Sequence, residues 1–277
     1  GIGRFRANVF RQRGSYGAVI RVIPFGLPDP DALHIPPMVI DLVSSCRNGM
    51  VLVTGPAGSG KSTTLACMVD RINSNQDVHI ITIEDPIEYL HAHKRALVSQ
   101  REIPNDASSF ARALRAAMRE APDVIMLGEM RDYETVQTAL TAAETGHLVL
   151  STLHTTGASQ TIDRIVDTCP PQTQQQMRNQ LSMILRGVIT QQLLPNAAGN
   201  GRIAATEILL GTDAVGNLIR EDKCYQLPTA MHSGMSQGMH TLNSDLARLV
   251  LMGSITLETA EMASTDRADL QQFMRRV

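Results

Sequence analysis

The sequence predicts an α/β protein whose central sheet is mostly parallel. Short apolar runs recur along the first half of the chain, and segments with helical periodicity lie between them. The first run of the main domain ends in a glycine-rich loop that a helical pattern follows directly. Strands that alternate with helices form a parallel sheet with helices on both faces. We therefore expect functional loops at the carboxyl ends of the strands, where ligands bind in open α/β sheets.

The composition indicates a globular protein with an aliphatic core. Of its 277 residues, 43% are hydrophobic and 3% are aromatic, and 25 basic residues stand against 27 acidic ones. This balance disfavours a nucleic-acid motor, so we expect no nucleic-acid partner. The four cysteines form no Cys-x-x-Cys pair, which disfavours a zinc site and a disulfide framework and suits a reducing cytoplasm. The sequence predicts neither a membrane span nor a signal peptide.

A β-hairpin and a linker are expected before the main domain. Apolar and polar residues alternate from Arg4 onward, and a second strand pattern follows a glycine turn. Five prolines crowd residues 24–37, where no helix interior or central strand would tolerate them. We expect residues 1–24 to be the end of an N-terminal domain and 25–37 to be a linker. Because Gly1 opens directly in strand-like sequence, we expect the chain to be a fragment.

The main domain, residues 38–277, is predicted to alternate strands and helices. In chain order, the expected elements are a strand at 50–54, a helix to 73, a strand at 78–83, a helix around 108–119, a strand at 124–127, a helix at 132–145 and a strand at 148–152. Asp132 is the expected N-cap of the last helix, and Gly146 is its expected stop.

From about residue 171 the chain is expected to be mainly helical. The apolar residues that form the first stripe are Met177, Leu181, Ile184, Leu185 and Val188. Further helices are expected near residues 241–251 and 266–274.

Residues 55–62 carry the strongest functional signal. They read Gly-x-x-x-x-Gly-Lys-Ser between a strand and a helix, which is the phosphate-binding P-loop pattern. Glycines let successive backbone N–H groups surround phosphate oxygens, Lys61 brings charge toward the β- and γ-phosphates, and Ser62 can bind Mg²⁺. We expect a nucleoside triphosphate at Gly55, Pro56, Ala57, Gly58, Ser59, Gly60, Lys61, Ser62 and Thr63.

Two acidic stretches follow later predicted strands. Glu84, Asp85 and Glu88 end the run at 81–89, for which a solvated acidic loop is the alternative. Glu129 follows four apolar residues, the form of a Walker B strand whose acid meets Mg²⁺ or its water. Hydrolysis of a triphosphate requires such carboxylates to orient water and to hold the metal.

Two histidines, His147 and His154, bracket the strand predicted at 148–152. A metal pair on a helix face would have a spacing of three or four residues, so we do not expect zinc here. The alternatives are structural histidines, or a pair that senses the γ-phosphate from a strand beside the P-loop strand.

Taken in order, these motifs resemble the PilT family of type IV pilus retraction ATPases, within the secretion-ATPase superfamily. They read Gly-Pro-x-Gly-Ser-Gly-Lys-Ser-Thr-Thr, Ile-Glu-Asp-Pro-Ile-Glu, Gly-Glu-Met-Arg-Asp and Thr-Gly-His…Thr-Leu-His-Thr. The resemblance covers essentially the whole chain. It implies a RecA-like P-loop NTPase core with a parallel-rich sheet and a helical C-terminal part, preceded by the remnant of a small α+β, PAS-like N-terminal domain.

The resemblance also implies roles for individual residues. Glu88 matches the catalytic glutamate of the family's Asp box and Glu129 matches the Walker B glutamate; which of the two is the general base stays open. His147 and His154 match the His box. Arg6 and Arg21 resemble the arginines that the N-terminal domain presents to nucleotide across subunit boundaries, with an ordinary polar strand face as the alternative.

The implied function is a hexameric motor that hydrolyses ATP, with Mg²⁺, to retract type IV pili and drive twitching motility. Its implied partners are five further copies, an inner-membrane platform protein and a paralogous accessory ATPase, at the cytoplasmic face of the inner membrane. The alternatives are a secretion-system or pilus-assembly ATPase and a non-catalytic accessory ring. The scattered cysteines disfavour the assembly ATPase, and the presence of Glu88 and Glu129 disfavours the non-catalytic ring. One position departs from the family, because Gly216 stands where its C-terminal signature has an arginine.

Overall fold

The computed structural model describes residues 4–23, 26–27 and 29–275. Residues 1–3 and 24 of the predicted N-terminal remnant, and positions 25 and 28 of the predicted linker, lie outside that part of the chain. The predicted boundaries at 24 and 37 therefore stay predictions.

In the described residues, nine strands form two sheets. The strands are β1 (Arg4–Gln12), β2 (Ser15–Ile23), β3 (Gly49–Thr54), β4 (His79–Glu84), β5 (Leu97–Glu102), β6 (Val124–Leu127), β7 (Leu148–Leu153), β8 (Leu185–Pro195) and β9 (Arg202–Leu210). The first two form an antiparallel hairpin, whose turn residues Arg13 and Gly14 both have positive φ, as a tight hairpin turn requires. The other seven form one sheet in the order β5-β4-β6-β7-β3-β8-β9, parallel except for β9.

Helices cover both faces of the large sheet and extend beyond its β9 edge. They are α1 (Pro37–Ser45), α2 (Lys61–Asn75), α3 (Phe110–Ala117), α4 (Tyr133–Glu144), α5 (Ala158–Asp167), α6 (Gln174–Ile184), α7 (Asp213–Arg220), α8 (Leu227–Ser233), α9 (Leu242–Leu251), α10 (Leu257–Ala263) and α11 (Arg267–Arg275). Among these helices, none combines the length and the apolar character that a membrane crossing needs.

Alternate residues of the parallel strands build two cores, one on each face. On β3, Val51 and Val53 pack with α1 and α2, whereas Met50 and Leu52 pack with α3 to α8. A third core joins the far ends of β8 and β9 to α9, α10 and α11. This strict alternation on a strand buried from both sides explains why the P-loop strand is apolar at four successive positions.

The predicted strands and helices before residue 155 are present, with small changes at their ends. Asp132 is the N-cap of α4, since its carboxylate accepts from the Thr135 N–H at 2.9 Å. Gly146 follows that helix at φ +112°. The sequence interpretation missed β5, an edge strand with the mixed sequence Leu-Val-Ser-Gln-Arg-Glu.

The expectation of a mainly helical chain from residue 171 is wrong for residues 185–210. Helix α6 ends at Ile184, and Leu185 and Val188 belong to β8 instead of continuing the stripe. The chain turns into a strand here because it pairs with β3, whose backbone groups would otherwise lie unpaired inside the sheet. The β-branched run Val-Ile-Thr at 188–190 favours this outcome. The helices predicted near 241–251 and 266–274 are present as α9 and α11.

Strand β8 is longer than the strand it accompanies. Thr190 pairs with Thr54, the last residue of β3, and residues 191–195 continue beyond it, paired with β9. This extension runs alongside the glycine-rich loop that follows β3. It therefore brings side chains from the second half of the chain to the edge where the sequence predicts phosphate binding.

Gly216 lies in a close contact between two helices. A Cβ at this position of α7 would be 2.9 Å from the backbone carbonyl oxygen of Ser182 on α6. The contact is one that real Cβ atoms essentially never make with backbone. An arginine at this position therefore requires the two helices to move apart.

Candidate nucleotide-binding site

A cleft of about 520 Å³ lies at the carboxyl edge of the sheet. The P-loop, the loops after β4, β6 and β7, and the β1–β2 hairpin surround it. The predicted site residues that line it are Arg6, Arg21, Ala57, Gly58, Gly60, Lys61, Ser62, Thr63, Glu84, Asp85, Glu88, Glu129 and His154. Gly55, Pro56 and Ser59 belong to the same loop but are not part of the lining; Gly55 and Ser59 are buried, and Pro56 is exposed.

The P-loop has a backbone conformation that only glycine adopts readily. Gly55, Gly58 and Gly60 have φ values of +141°, +77° and +91°. A Cβ on Gly55 would also lie 2.2 Å from the backbone oxygen of Gln191, so a larger residue could not approach β8 here. Helix α2 begins directly afterwards at Lys61, and its unpaired N–H groups point at the cleft. This cradle fits a phosphate group.

Lys61 occupies the centre of the cleft. Its Nζ donates to the backbone oxygens of Gly55 at 2.8 Å and Pro56 at 2.9 Å, and lies 3.3 Å from Nδ1 of His154. Burial lowers the pKa of this ammonium group, while the charges of Glu129 and Glu88 oppose the shift. The ammonium group carries no direct ion pair with either carboxylate among the described contacts, so its charge is available to an incoming anion.

Glu129 follows β6 and faces the same lysine. Its side chain is 13% exposed, it forms an ion pair with Arg131, and its Oε2 lies 3.7 Å from Nε2 of His154. The hydroxyl of Thr152 donates to the Gly128 backbone oxygen at 2.5 Å, which ties the loop after β6 to the neighbouring strand β7. His154 therefore lies between the P-loop lysine, which donates to its Nδ1, and the Walker B carboxylate.

The loop after β4 presents two carboxylates in different environments. Glu84 is buried and accepts from the hydroxyl of Thr82 at 2.8 Å and the amide of Gln100 at 3.2 Å. Burial raises the pKa of Glu84 even though these hydrogen bonds favour its charged form. Glu88 is only half-buried and faces the cleft. The more accessible Glu88 is therefore better placed to meet a water molecule.

The β1–β2 hairpin closes one side of the cleft. Arg6 and Arg21 are directly paired across the two strands, and both exposed side chains line the cleft. Arg4 donates to the backbone oxygens of Ile87 at 2.8 Å and Glu88 at 3.2 Å. One arginine of the hairpin thus fixes the backbone that carries Glu88, and two others add positive charge to the cleft.

His147 does not lie in this cleft, although the sequence interpretation expected it to bind nucleotide. It precedes β7 at the amino edge of the sheet, where its backbone oxygen accepts from the Gly49 N–H at 3.1 Å. Its Nδ1 donates to the Ala142 backbone oxygen at 2.9 Å, at the end of α4. A six-residue strand separates it from His154 by about 20 Å. Seven residues of extended chain place the two histidines at opposite edges of the sheet.

Several cleft residues escaped the sequence interpretation. Those that line the cleft or fix its loops are Arg4, Tyr89, Arg131, Gln191, Leu193 and Arg202. Three of them lie on β8 and β9, where a helix was expected. The signal for this hairpin is a β-branched run followed by the turn-forming residues Asn196, Gly199, Asn200 and Gly201.

The fold and sequence match known proteins. The model of the type II/IV secretion system protein family matches residues 38–275. The type IV pilus retraction ATPase PilT of Pseudomonas aeruginosa is 52% identical over 260 residues, 94% of this chain and 75% of that protein. The type IV pilus ATPase PilU of the same organism is 43% identical over 274 residues, 99% of this chain and 71% of that protein.

A solved structure agrees with the fold. The crystal structure of the pilus retraction motor PilT with bound ADP matches with a TM-score of 0.92 at 53% sequence identity, covering 98% of this chain and 77% of that one. The predicted α/β core and the resemblance to retraction ATPases are thereby confirmed. The chain belongs to the type II/IV secretion system protein family and, within it, to the PilT family of pilus retraction ATPases.

Proposed function

We propose that this chain is the ATP-hydrolysing subunit of a motor that retracts type IV pili. The observation that carries the proposal is the convergence of Lys61, His154 and Glu129 at one cleft, with contacts of 3.3 and 3.7 Å between neighbours. A P-loop lysine that binds phosphate, a Walker B carboxylate that meets the metal, and a polar group beside them are typical of sites for phosphoryl transfer to water. The PilT relative and the ADP-bound PilT structure support the same function.

Different residues of the cleft have different roles in the proposed reaction. The P-loop N–H groups and Lys61 hold the phosphates, and Lys61 exchanges its two loop carbonyls for phosphate oxygens. Glu88 and Glu129 are the two carboxylates that can orient and deprotonate the attacking water. His154 lies where loss of the terminal phosphate changes its surroundings, because it contacts both Lys61 and Glu129.

The oxygen ligands at the cleft fit Mg²⁺. This metal binds through one or two protein oxygens together with substrate phosphates and water. Ser62 and Glu129 would supply the protein oxygens, and no larger group of metal-binding side chains occurs in the described part of the chain. When bound, Mg²⁺ neutralises charge on the phosphate oxygens.

The assembly that this function requires is a ring. We propose a homohexamer in which the β1–β2 hairpin completes the cleft. Its Arg6 and Arg21 supply positive charge to the site. An inner-membrane platform protein, and a paralogous accessory ATPase, are the proposed partners at the cytoplasmic face of the inner membrane. The exposed arginines at the cleft and the similarity to the pilus ATPases PilT and PilU support this proposal.

Complementation of a strain that extends but cannot retract its pili tests the proposal. The full-length gene is expected to restore twitching motility, and the same gene carrying Lys61→Ala is expected to fail at equal protein level. A purified protein that hydrolyses ATP while its gene does not restore retraction would favour a secretion or accessory role instead.

A further inference from the structure

Gln191 makes an unusual set of contacts for a polar residue inside a sheet. Its side chain is buried, with the whole residue 4% exposed, on the stretch of β8 that runs past the end of β3. Its Nε2 donates to the Ser59 backbone oxygen at 2.6 Å, and its Oε1 accepts from the Thr64 hydroxyl at 2.8 Å. The amide orientation is fixed, because a carbonyl oxygen only accepts hydrogen bonds.

Gln191 also sets how closely the P-loop approaches β8. Its backbone oxygen lies against Gly55, where a Cβ would come within 2.2 Å, and its Nε2 would lie 3.0 Å from a Cβ on Gly60. The residue therefore contacts the first glycine of the loop, its last glycine, and the carbonyl between them. No contact of this kind is implied by the P-loop pattern itself.

The carbonyl groups of the P-loop are held by two different side chains. Lys61 binds the oxygens of Gly55 and Pro56, whereas Gln191 binds that of Ser59. A phosphate group in the cleft competes for the Lys61 ammonium group, which already donates to two loop carbonyls and contacts His154. The Gln191 side chain is not part of the cleft lining, so a phosphate does not compete for it.

We propose that Gln191 is a positioning residue for phosphate binding, which keeps the P-loop in its cradle conformation while Lys61 turns to the nucleotide. The inference rests on the proposed nucleotide site and adds a residue from β8 to it. Gln191 is not among the residues that line the cleft; it acts through the Ser59–Gly60 peptide, because it binds the Ser59 carbonyl oxygen and Gly60 lines the cleft. Its loss should weaken binding of phosphates before it weakens the fold.

Three variants separate this role from general packing. Gln191→Met keeps the length of the side chain and removes both hydrogen bonds. Gln191→Glu keeps the acceptor for Thr64 and loses the donor to Ser59, except when the carboxyl is protonated. Thr190→Val is the matched control, because it removes a buried hydroxyl pair with Thr54 at 2.9 Å one residue earlier without touching the loop.

The measurement is ADP binding to the full chain by calorimetry at about pH 8 and about pH 6. We expect the dissociation constant to rise about tenfold in Gln191→Met at both pH values and to stay within about twofold in Thr190→Val. In Gln191→Glu it should rise at the higher pH and return toward wild type at the lower one. Burial favours the protonated carboxyl, which can donate to Ser59.

Two results would overturn the inference. One is ADP affinity in folded Gln191→Met that matches wild type; the other is an equal loss in Thr190→Val. If Gln191→Met does not fold, the pH dependence of Gln191→Glu relative to wild type decides, and a flat ratio counts against the role. Wild-type protein that binds no ADP would instead refute the proposed nucleotide site, so the two failures are distinguishable.

Discussion

The two histidines that bracket β7 differ in what surrounds them, although each follows or precedes the same six-residue strand. His154, at the carboxyl edge, meets the start of α2 through Lys61 and the loop that carries Glu129. His147, at the amino edge, meets the last turn of α4 and binds its carbonyl oxygen. Helix N-termini present N–H groups and attract anions, whereas C-termini present carbonyl oxygens.

The same difference applies to the whole sheet. Every loop at the carboxyl edge of β3, β4, β6 and β7 contributes a polar group to the cleft. At the amino edge, the corresponding groups bind backbone; Asp123, for example, accepts from the His79 N–H at 2.8 Å. The position of a side chain along a strand, more than its chemical type, therefore decides between catalysis and structure.

The largest effect is expected at the P-loop lysine. Lys61→Ala removes the cation from the cleft and should lower the rate of ATP hydrolysis at least ~100-fold. Lys94→Ala is the matched control. That lysine does not line the cleft, and its Nζ forms a surface ion pair of 2.6 Å with Asp70. Steady-state phosphate release measures both. If the Lys61→Ala protein hydrolysed ATP at the wild-type rate, the cleft at the carboxyl edge of the sheet would not be the site of hydrolysis.

The two histidines give the most direct contrast between the edges. His154→Ala should lower kcat by roughly 10- to 100-fold, because it breaks the bridge between Lys61 and Glu129. His147→Ala should leave kcat within about twofold and cost about 1 kcal/mol of unfolding free energy through the lost bond to Ala142. Equal losses of kcat in the two variants, at equal folded fraction, would contradict the assignment.

Arg4 tests whether the hairpin positions the catalytic loop. Arg4→Ala removes two donors from the Ile87 and Glu88 carbonyls, and kcat should fall about tenfold with little change in KM. A lysine can donate well to only one of the two carbonyls, so the kcat of Arg4→Lys should lie between those of wild type and Arg4→Ala. Arg11→Ala on the same hairpin, which stacks over Tyr16, serves as control. Unchanged kcat in Arg4→Ala would show that the Arg4 contact does not position the loop that carries Glu88.

The smallest effect is a pH-dependent change in stability at Glu84. Burial raises the native pKa of Glu84, so its stabilising contribution is complete below the unfolded pKa and is lost as the pH rises through the native pKa. Glutamine does not titrate, so the stability of Glu84→Gln does not fall with pH at this position. Its unfolding free energy relative to wild type should therefore increase between about pH 4 and about pH 8, as denaturant titrations at the two pH values would measure.

Asp77 provides a control of opposite sign. Arg95 lowers the pKa of Asp77, so its contribution appears above the unfolded pKa and disappears as the pH falls through the native pKa. Asp77→Asn should lose stability relative to wild type as the pH rises through the acidic range below about pH 5, where aspartates ordinarily titrate. If the Glu84→Gln difference has the same sign as the Asp77→Asn difference, the burial argument for Glu84 is wrong.

Sequence alone predicts the parts of the site that local pattern encodes. The P-loop, the Walker B strand and the N-cap Asp132 depend on residues close together in the chain. The sequence interpretation placed His147 at the cleft because a histidine next to a strand does not show which edge of the sheet it occupies. That edge is known only when the direction of the strand is known. Gln191 and Arg202 were missed because β8 forms through pairing with β3, more than 130 residues earlier, and the stripe from Met177 to Val188 also fits a helix.

Gly216 illustrates the same limit at the level of packing. The sequence marks only a departure from an arginine. In the structure, any Cβ there would press on the backbone of Ser182, so replacement by arginine alters the α6–α7 contact as well as restoring a charge.

Hydrolysis by Glu129→Gln tests the central claim most directly. This variant keeps the size of the side chain and removes the charge that faces Lys61 and His154. ATP binding should be retained within about threefold while Mg²⁺-dependent turnover falls at least ~100-fold. A Glu129→Gln protein that binds and hydrolyses ATP like wild type would contradict the assignment of the chemistry to this cleft.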